Sequence, residues 1–183
     1  EAECEQQILL KSRRQLVEQR KRLRNTMRGL LKIYGYKIEP GLGDKKFGVE
    51  VKACIKYMDR IQVVSFTTLL STLDIVVESV ANLDKELVQI ASGSADCKLV
   101  MTIPGVGPVT ALTYVTTIGD VKRFEESEMV GAYLGLTPKQ YASGEVNRQG
   151  NISRMGASEC RSMLYEAANS LLNRSNKECA IRI

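Results

Sequence analysis

Ser143 stands directly before Gly144 in a stretch where Lys139, Arg148 and Arg154 supply positive charge on either side. A hydroxyl in that company could attack a phosphodiester while the cationic groups hold the phosphate oxygens and offset charge that builds in the transition state. A Ser-Gly pair is equally what an exposed turn requires, so the residues by themselves leave both readings open. Ser153 is a second hydroxyl nearby, placed where it could also cap the final helix. Histidine is absent from the 183 residues, which removes the usual general base, the usual metal ligand and every triad that depends on imidazole. The five cysteines, Cys4, Cys54, Cys97, Cys160 and Cys179, show no C-x-x-C spacing and an odd total. Neither a zinc site nor a disulfide framework is expected, and no metal ligand is assigned.

Two further segments are suited to polyanions. In I-P-G-V-G-P-V-T-A, Gly105 and Gly107 flank one apolar residue, and Pro108 follows at the first position of an apolar helix. This resembles the hairpin of a helix-hairpin-helix element, in which glycines bring backbone N–H groups close to a phosphate at a helix N-terminus. A plain helix-to-helix turn needs glycine for the same steric reason. Between Lys11 and Lys32, nine cations (among them Arg13, Arg14, Arg20, Arg22, Arg24 and Arg28) face one anion, Glu18. That local net charge of +8 within a chain of net +5 leaves −3 for the remainder. Such a block is an electrostatic footprint for nucleic acid, with a solvated helix face as the alternative.

The elements that must position these residues read as helices. Residues 2–34 contain no proline and a single glycine, and Leu9, Leu16, Leu23 and Leu30 recur every seven residues, which predicts one long helix with a narrow apolar edge and a basic back. A glycine-rich break follows over 35–48, then a short helix over 50–60. A second long helix is predicted over 61–91, where Leu69, Leu73, Val76, Val80, Leu83, Leu87 and Ile90 alternate steps of four and three. This heptad pattern predicts a coiled coil with the first helix, with another copy of the chain, or with both, and a bundle core helix has the same pattern. The expected fold is all-α: a basic helix and coiled-coil stem over 1–95, joined at Ala91-Ser92-Gly93-Ser94 to a compact helical module over 96–183 that carries the glycine hairpin and a polar, turn-rich serine loop.

Three blocks in order carry a family resemblance: R-R-Q-L-V-E-Q-R-K-R-L-R-N-T-M-R-G-L-L near the start, I-P-G-V-G-P-V-T-A in the middle, and F-E-E-S-E-M-V-G-A-Y-L-G-L-T-P-K-Q-Y-A-S-G followed by R-Q-G-N-I-S-R-M-G-A-S-E-C-R-S-M-L. Together they resemble the DEDD-type insertion-sequence transposases of the IS one-ten superfamily. The resemblance implies an N-terminal RuvC-like domain with magnesium-binding carboxylates, a coiled-coil middle and a C-terminal domain with a serine nucleophile, all directed by a guide RNA. The family's serine falls at Ser143, and Arg148 and Arg154 fall in the polar stretch after it. The RuvC-like half is not in this sequence, so no cofactor is expected here and magnesium is expected only with that domain.

The composition sets the remaining expectations. No run of about 18 uncharged apolar residues is present, so no membrane span is expected, and neither signal nor anchor pattern is visible. The chain is read as cytoplasmic. Its expected partners are DNA, a guide RNA and a second copy of itself, and the expected function is transposition in the intact enzyme. The alternative is an inactive helical module that binds nucleic acid.

Overall fold

The computed structural model describes the backbone of residues 2–143 and 146–174, and the side chains of residues 4–140 and 148–173. The regular elements among the described residues are helices apart from one two-stranded hairpin. They divide into two compact units, one of residues 11–86 and one of residues 1–10 with 87–183.

In the first of these, the outer part of α1 (Ala2–Ile33) and most of α3 (Arg60–Gly93) enclose α2 (Asp44–Ile55). Helix α2 buries Phe47, Val51 and Ile55, a strict four-residue stripe, against Met27 and Leu31 of α1 and Phe66, Leu70 and Leu73 of α3. It begins at Asp44, inside the segment expected to be loop, because an acidic residue in the first turn favours a helix start and Gly43 gives an extended N-cap. Arg13 near one end of α1 pairs with Asp84 near the far end of α3, whereas Met27 and Leu31 lie with Phe66 and Leu70. The two helices are therefore antiparallel within this unit.

The buried faces are not quite the expected ones. Along α1 the expected Leu9, Leu16 and Leu23 are half-buried, with Leu9 and Leu23 packed on the cores, and they are joined by Leu10, Arg13, Val17, Arg20, Arg24, Met27 and Leu31 at alternating steps of three and four, while Leu30 is exposed. Three arginines thus stand on a face that hydropathy alone would assign to solvent. Along α3, Leu73, Val76, Val80 and Leu87 are buried as the heptad pattern implies, joined by Phe66, Leu70 and Ala91.

Helix α3 is also long and apolar enough to cross a membrane by length and composition, with a mean hydropathy of 1.6 over its best 18 residues. Asp74 and Glu78 divide its apolar sequence, so no uncharged run of about 18 residues is present. Part of the apolar character belongs to the core and part to exposed side chains such as Ile61, Val64 and Ile75, while the Thr and Ser residues between them donate their hydroxyls to carbonyls of their own helix, as Thr68 does to Val64 at 2.8 Å and Ser79 to Ile75 at 2.8 Å.

In the other unit, α4 (Ala95–Val100) and α5 (Pro108–Ile118) pack Cys97, Ala111 and Leu112 against Leu10, Leu87 and Ala91. The small residues 91–93 continue α3, and Ser94 caps α4 by accepting from the Cys97 N–H at 3.2 Å. A single 3-10 turn (Val121–Arg123) leads to α6 (Ser127–Tyr133), the antiparallel strands β1 (Pro138–Ser143) and β2 (Val146–Ile152), and α7 (Ser158–Arg174). A second cluster, Ile118, Leu134 and Cys160, seats α6 and α7 against α5. The hairpin replaces the irregular loop expected around the serine.

Candidate nucleic-acid interface

An isolated two-stranded ribbon is marginal in water, so this hairpin has to be held at its foot. Beyond the last strand residues the pairing continues, with Ser153 N–H donating to Thr137 O at 2.8 Å and Arg154 N–H to Gly135 O at 3.1 Å. Arg161 of α7 donates to Leu134 O at 2.9 Å and Met155 O at 3.0 Å, tying the two chain segments to one guanidinium. Gly135 (φ +68) and Gly156 (φ +89) permit this crossing. A Cβ at Gly135 would sit 1.9 Å from Met155 O, and one at Gly156 would sit 2.2 Å from Tyr133 O.

Above that foot the register pairs Tyr141 with Arg148 and Ser143 with Val146, so Ser143 stands at the tip. Its side chain lies outside the described residues. A register shift between Pro138 and Gln140 marks a bulge beside Lys139. Around it Lys139, Asn151, Ser153 and Arg154 line a cleft of about 280 Å³. Two cations and two neutral polar side chains meet there, with no carboxylate among the described lining residues, a composition suited to a phosphate. Arg154 holds φ +55, the one positive-φ residue other than glycine among the described residues, and strain of that kind collects at functional sites. The structure thus brings Lys139, Ser153 and Arg154 together, and places Arg148 further along the ribbon, exposed.

The glycine turn divides differently. At Gly105 (φ +91) an added Cβ would come within 2.6 Å of Ala167 O and 3.1 Å of Leu171 N, so the α7 backbone is what requires glycine there. Gly107 is the extended N-cap of α5 with open space around it, and Pro108 occupies the first helical turn as expected.

The basic helix is divided in the same way. Arg24 donates to Asp44 Oδ1 at 3.0 Å and to Leu42 O, and its guanidinium lies 4.9 Å from the centroid of the buried Phe47 ring. Arg28 lies 5.1 Å from the same ring and donates to Glu39 O at 3.4 Å. Arg20 reaches Asp44 Oδ2 at 3.8 Å, and Arg13 holds Asp84. These four are engaged in shaping the unit. Arg14 and Arg22 are exposed, as are Lys11, Lys21 and Lys32. One carboxylate cannot neutralise the shallow cleft of about 350 Å³ that Arg20, Lys21, Arg24 and Arg28 line, so it stays positive.

Among the described residues, no three carboxylate or thiol side chains converge to hold a metal ion. Burial raises the Cys160 thiol above its ordinary value, against the smaller opposing effects of a Thr117 hydrogen bond and the Arg161 charge. Sequence reasoning missed Arg161, which tethers the hairpin, and Tyr165, whose exposed ring lies beside it. Nothing in a single sequence separates either from ordinary helix-surface residues.

The polar cleft, the foot of the hairpin and the crossing glycines all lie within residues 97–181, which match the profile described as "Transposase IS116/IS110/IS902 family". The C-terminal region of this chain belongs to that transposase family. Over 174 residues the chain is 34% identical to the "Transposase for insertion sequence element IS1111A" of Coxiella burnetii, covering 91% of this chain and 46% of that protein. It is 29% identical over 93 residues to a "Probable family 20 transposase" of Pseudomonas aeruginosa, covering 51% of this chain and 28% of the relative. It is also 29% identical over 160 residues to the "Pilin gene-inverting protein" of Moraxella lacunata, covering 76% and 50%. The chain therefore spans half or less of the length of these relatives.

Proposed function

We propose that this chain is the DNA-holding, serine-bearing part of an insertion-sequence transposase. The observation that carries the reading is the cleft of Lys139, Ser153 and Arg154 at the foot of the ribbon whose tip bears Ser143, inside the family-matched segment. In this reading Lys139 and Arg154 hold one backbone phosphate of the bound strand at the foot, and Ser143, roughly 13 Å along the ribbon, meets a different phosphate at the tip, toward which Arg148 lies. The Ser143 hydroxyl oxygen bonds to phosphorus, one ester oxygen of the broken strand leaves and takes up a proton, and the serine proton passes to a base. Arginine stays protonated and histidine is absent, so that base is neither. The resemblance implies that an acidic, magnesium-binding domain works beside this one, and the metal belongs there. A guide RNA, self-association through the long helices and a cytoplasmic setting complete the proposal.

The test is a suicide DNA substrate offered to the full-length protein. A covalent protein-DNA adduct is expected, lost on Ser143→Ala and retained on Ser153→Ala. An adduct that persists without Ser143 overturns the assignment. A second reading is favoured by the cationic cleft of Arg20, Lys21, Arg24 and Arg28 on α1: alone, this chain binds nucleic acid without exchanging strands.

A further inference from the structure

A second cleft, of about 470 Å³, adjoins the polar one and shares Ile152 and Arg154 with it. Its lining differs in kind. Tyr165 of α7 is 70% exposed, Leu136 and Ile152 present apolar surface beside it, and Ser162 and Glu166 supply polar groups. Arg161 also borders this cleft, but it bonds two backbone carbonyls and serves to fix the wall. An aromatic face, aliphatic edges and a few hydrogen-bonding groups, set next to a phosphate-sized cationic cleft, match the two halves of a nucleotide.

We infer that the paired clefts bind one unpaired nucleotide, its phosphate between Lys139 and Arg154 and its base against Tyr165. The inference rests on the nucleic-acid reading above and adds a partner class to it. A base inside a duplex has both faces stacked and its pairing edge occupied, so it cannot lie on Tyr165 without leaving the helix. Single-stranded DNA or RNA, or a displaced base, can. Arg154, strained at the wall between the clefts, is placed to serve both: its guanidinium can meet the phosphate or cover the base.

The test compares binding of three labelled probes to the whole chain: a single-stranded DNA of about 15 nucleotides, the same sequence as RNA, and the DNA duplex. Tyr165→Ala is expected to weaken binding of at least one single strand by about tenfold while leaving the duplex unchanged. Tyr165→Phe keeps the affinity, and whichever strand responds identifies the source. Thermal unfolding of the variants checks that the exposed position leaves the fold intact. Replacing one base by 5-iodouracil and irradiating should cross-link Tyr165. Equal loss on strand and duplex, or no loss on any probe, overturns the inference. Salt-dependent duplex binding that survives such a failure leaves the nucleic-acid reading standing, whereas no binding of any probe removes both.

Discussion

Gly135 lies where two backbones touch, and its side is closed by Met155 main-chain atoms that cannot move without carrying Arg154 and Gly156 along. Gly135→Ala should therefore cost about 3 kcal/mol or more, from both the positive φ and the clash, measured by chemical denaturation. Gly107→Ser is the contrast: the site is open and the backbone extended, and serine is a better N-cap than glycine, so stability should be unchanged or rise by a few tenths of a kcal/mol. Cys160 makes a prediction about pH. Its thiol is raised chiefly by burial, with Arg161 lowering it, Glu159 raising it and Tyr114 beside it, itself raised by burial and by Cys160. A folded-state value above the unfolded one means that the neutral thiol's contribution is complete below the ordinary thiol range, about pH 8.5, and is lost as pH rises through the folded value. Thermal stability should fall on the alkaline side, and Cys160→Ala should flatten part of that slope. Iodoacetamide at mildly alkaline pH should label the exposed Cys4 long before Cys160.

At the scale of elements, α1 shows how a basic helix can be mostly architecture. Arg24 and Arg28 lie against Phe47, and Arg24 also closes the loop before α2 through Leu42 O and Asp44. Arg24→Gln should destabilise the chain by about 2 kcal/mol in denaturant melts, through the lost cation–π contact and the lost hydrogen bonds to Asp44 and Leu42 O, while Arg22→Gln leaves the midpoint unchanged and weakens nucleic-acid binding at low salt. A melt in which both variants match the parent would contradict the division. The same helix explains what could be read beforehand. Uninterrupted periodicity and a lack of proline gave the long helices nearly to the residue, and Pro108 gave the start of α5. The leucine edge of α1 was legible from Leu9 to Leu23, but the arginines beside it were not, because they satisfy their charge with Asp84, Asp44 and an aromatic ring, partners that lie in distant sequence. Spacing of three and four through Leu10, Arg13, Val17, Arg20, Arg24, Met27 and Leu31 is the signal that would have found them. The hairpin was illegible for another reason: residues 138–152 have no apolar alternation, and their pairing is fixed by groups outside the strands, such as Arg161 and the backbone at Gly135. The cleft residues Lys139, Ser153 and Arg154 were legible as types, but only the bulge and the crossing bring them together.

For the molecule as a whole, α3 has much apolar surface exposed among the described residues, including Ile61, Val64 and Ile75. Self-association through this face is expected in sedimentation velocity at tens of micromolar, and Ile75→Glu should return the chain to a monomer without lowering its thermal midpoint. A parent that sediments as a strict monomer would show that no second copy uses this surface. The foot of the ribbon has a consequence of a different sort. Its fastening is made of main-chain N–H groups, two glycines and one arginine from α7, none of which lies between Lys139 and Ile152. The segment in between is therefore an exchangeable cartridge: its sequence can drift, or be swapped for that of a relative, and still seat in the same socket. What the protein grips can change over evolutionary time, or at the bench, without the rest of the fold having to be relearned.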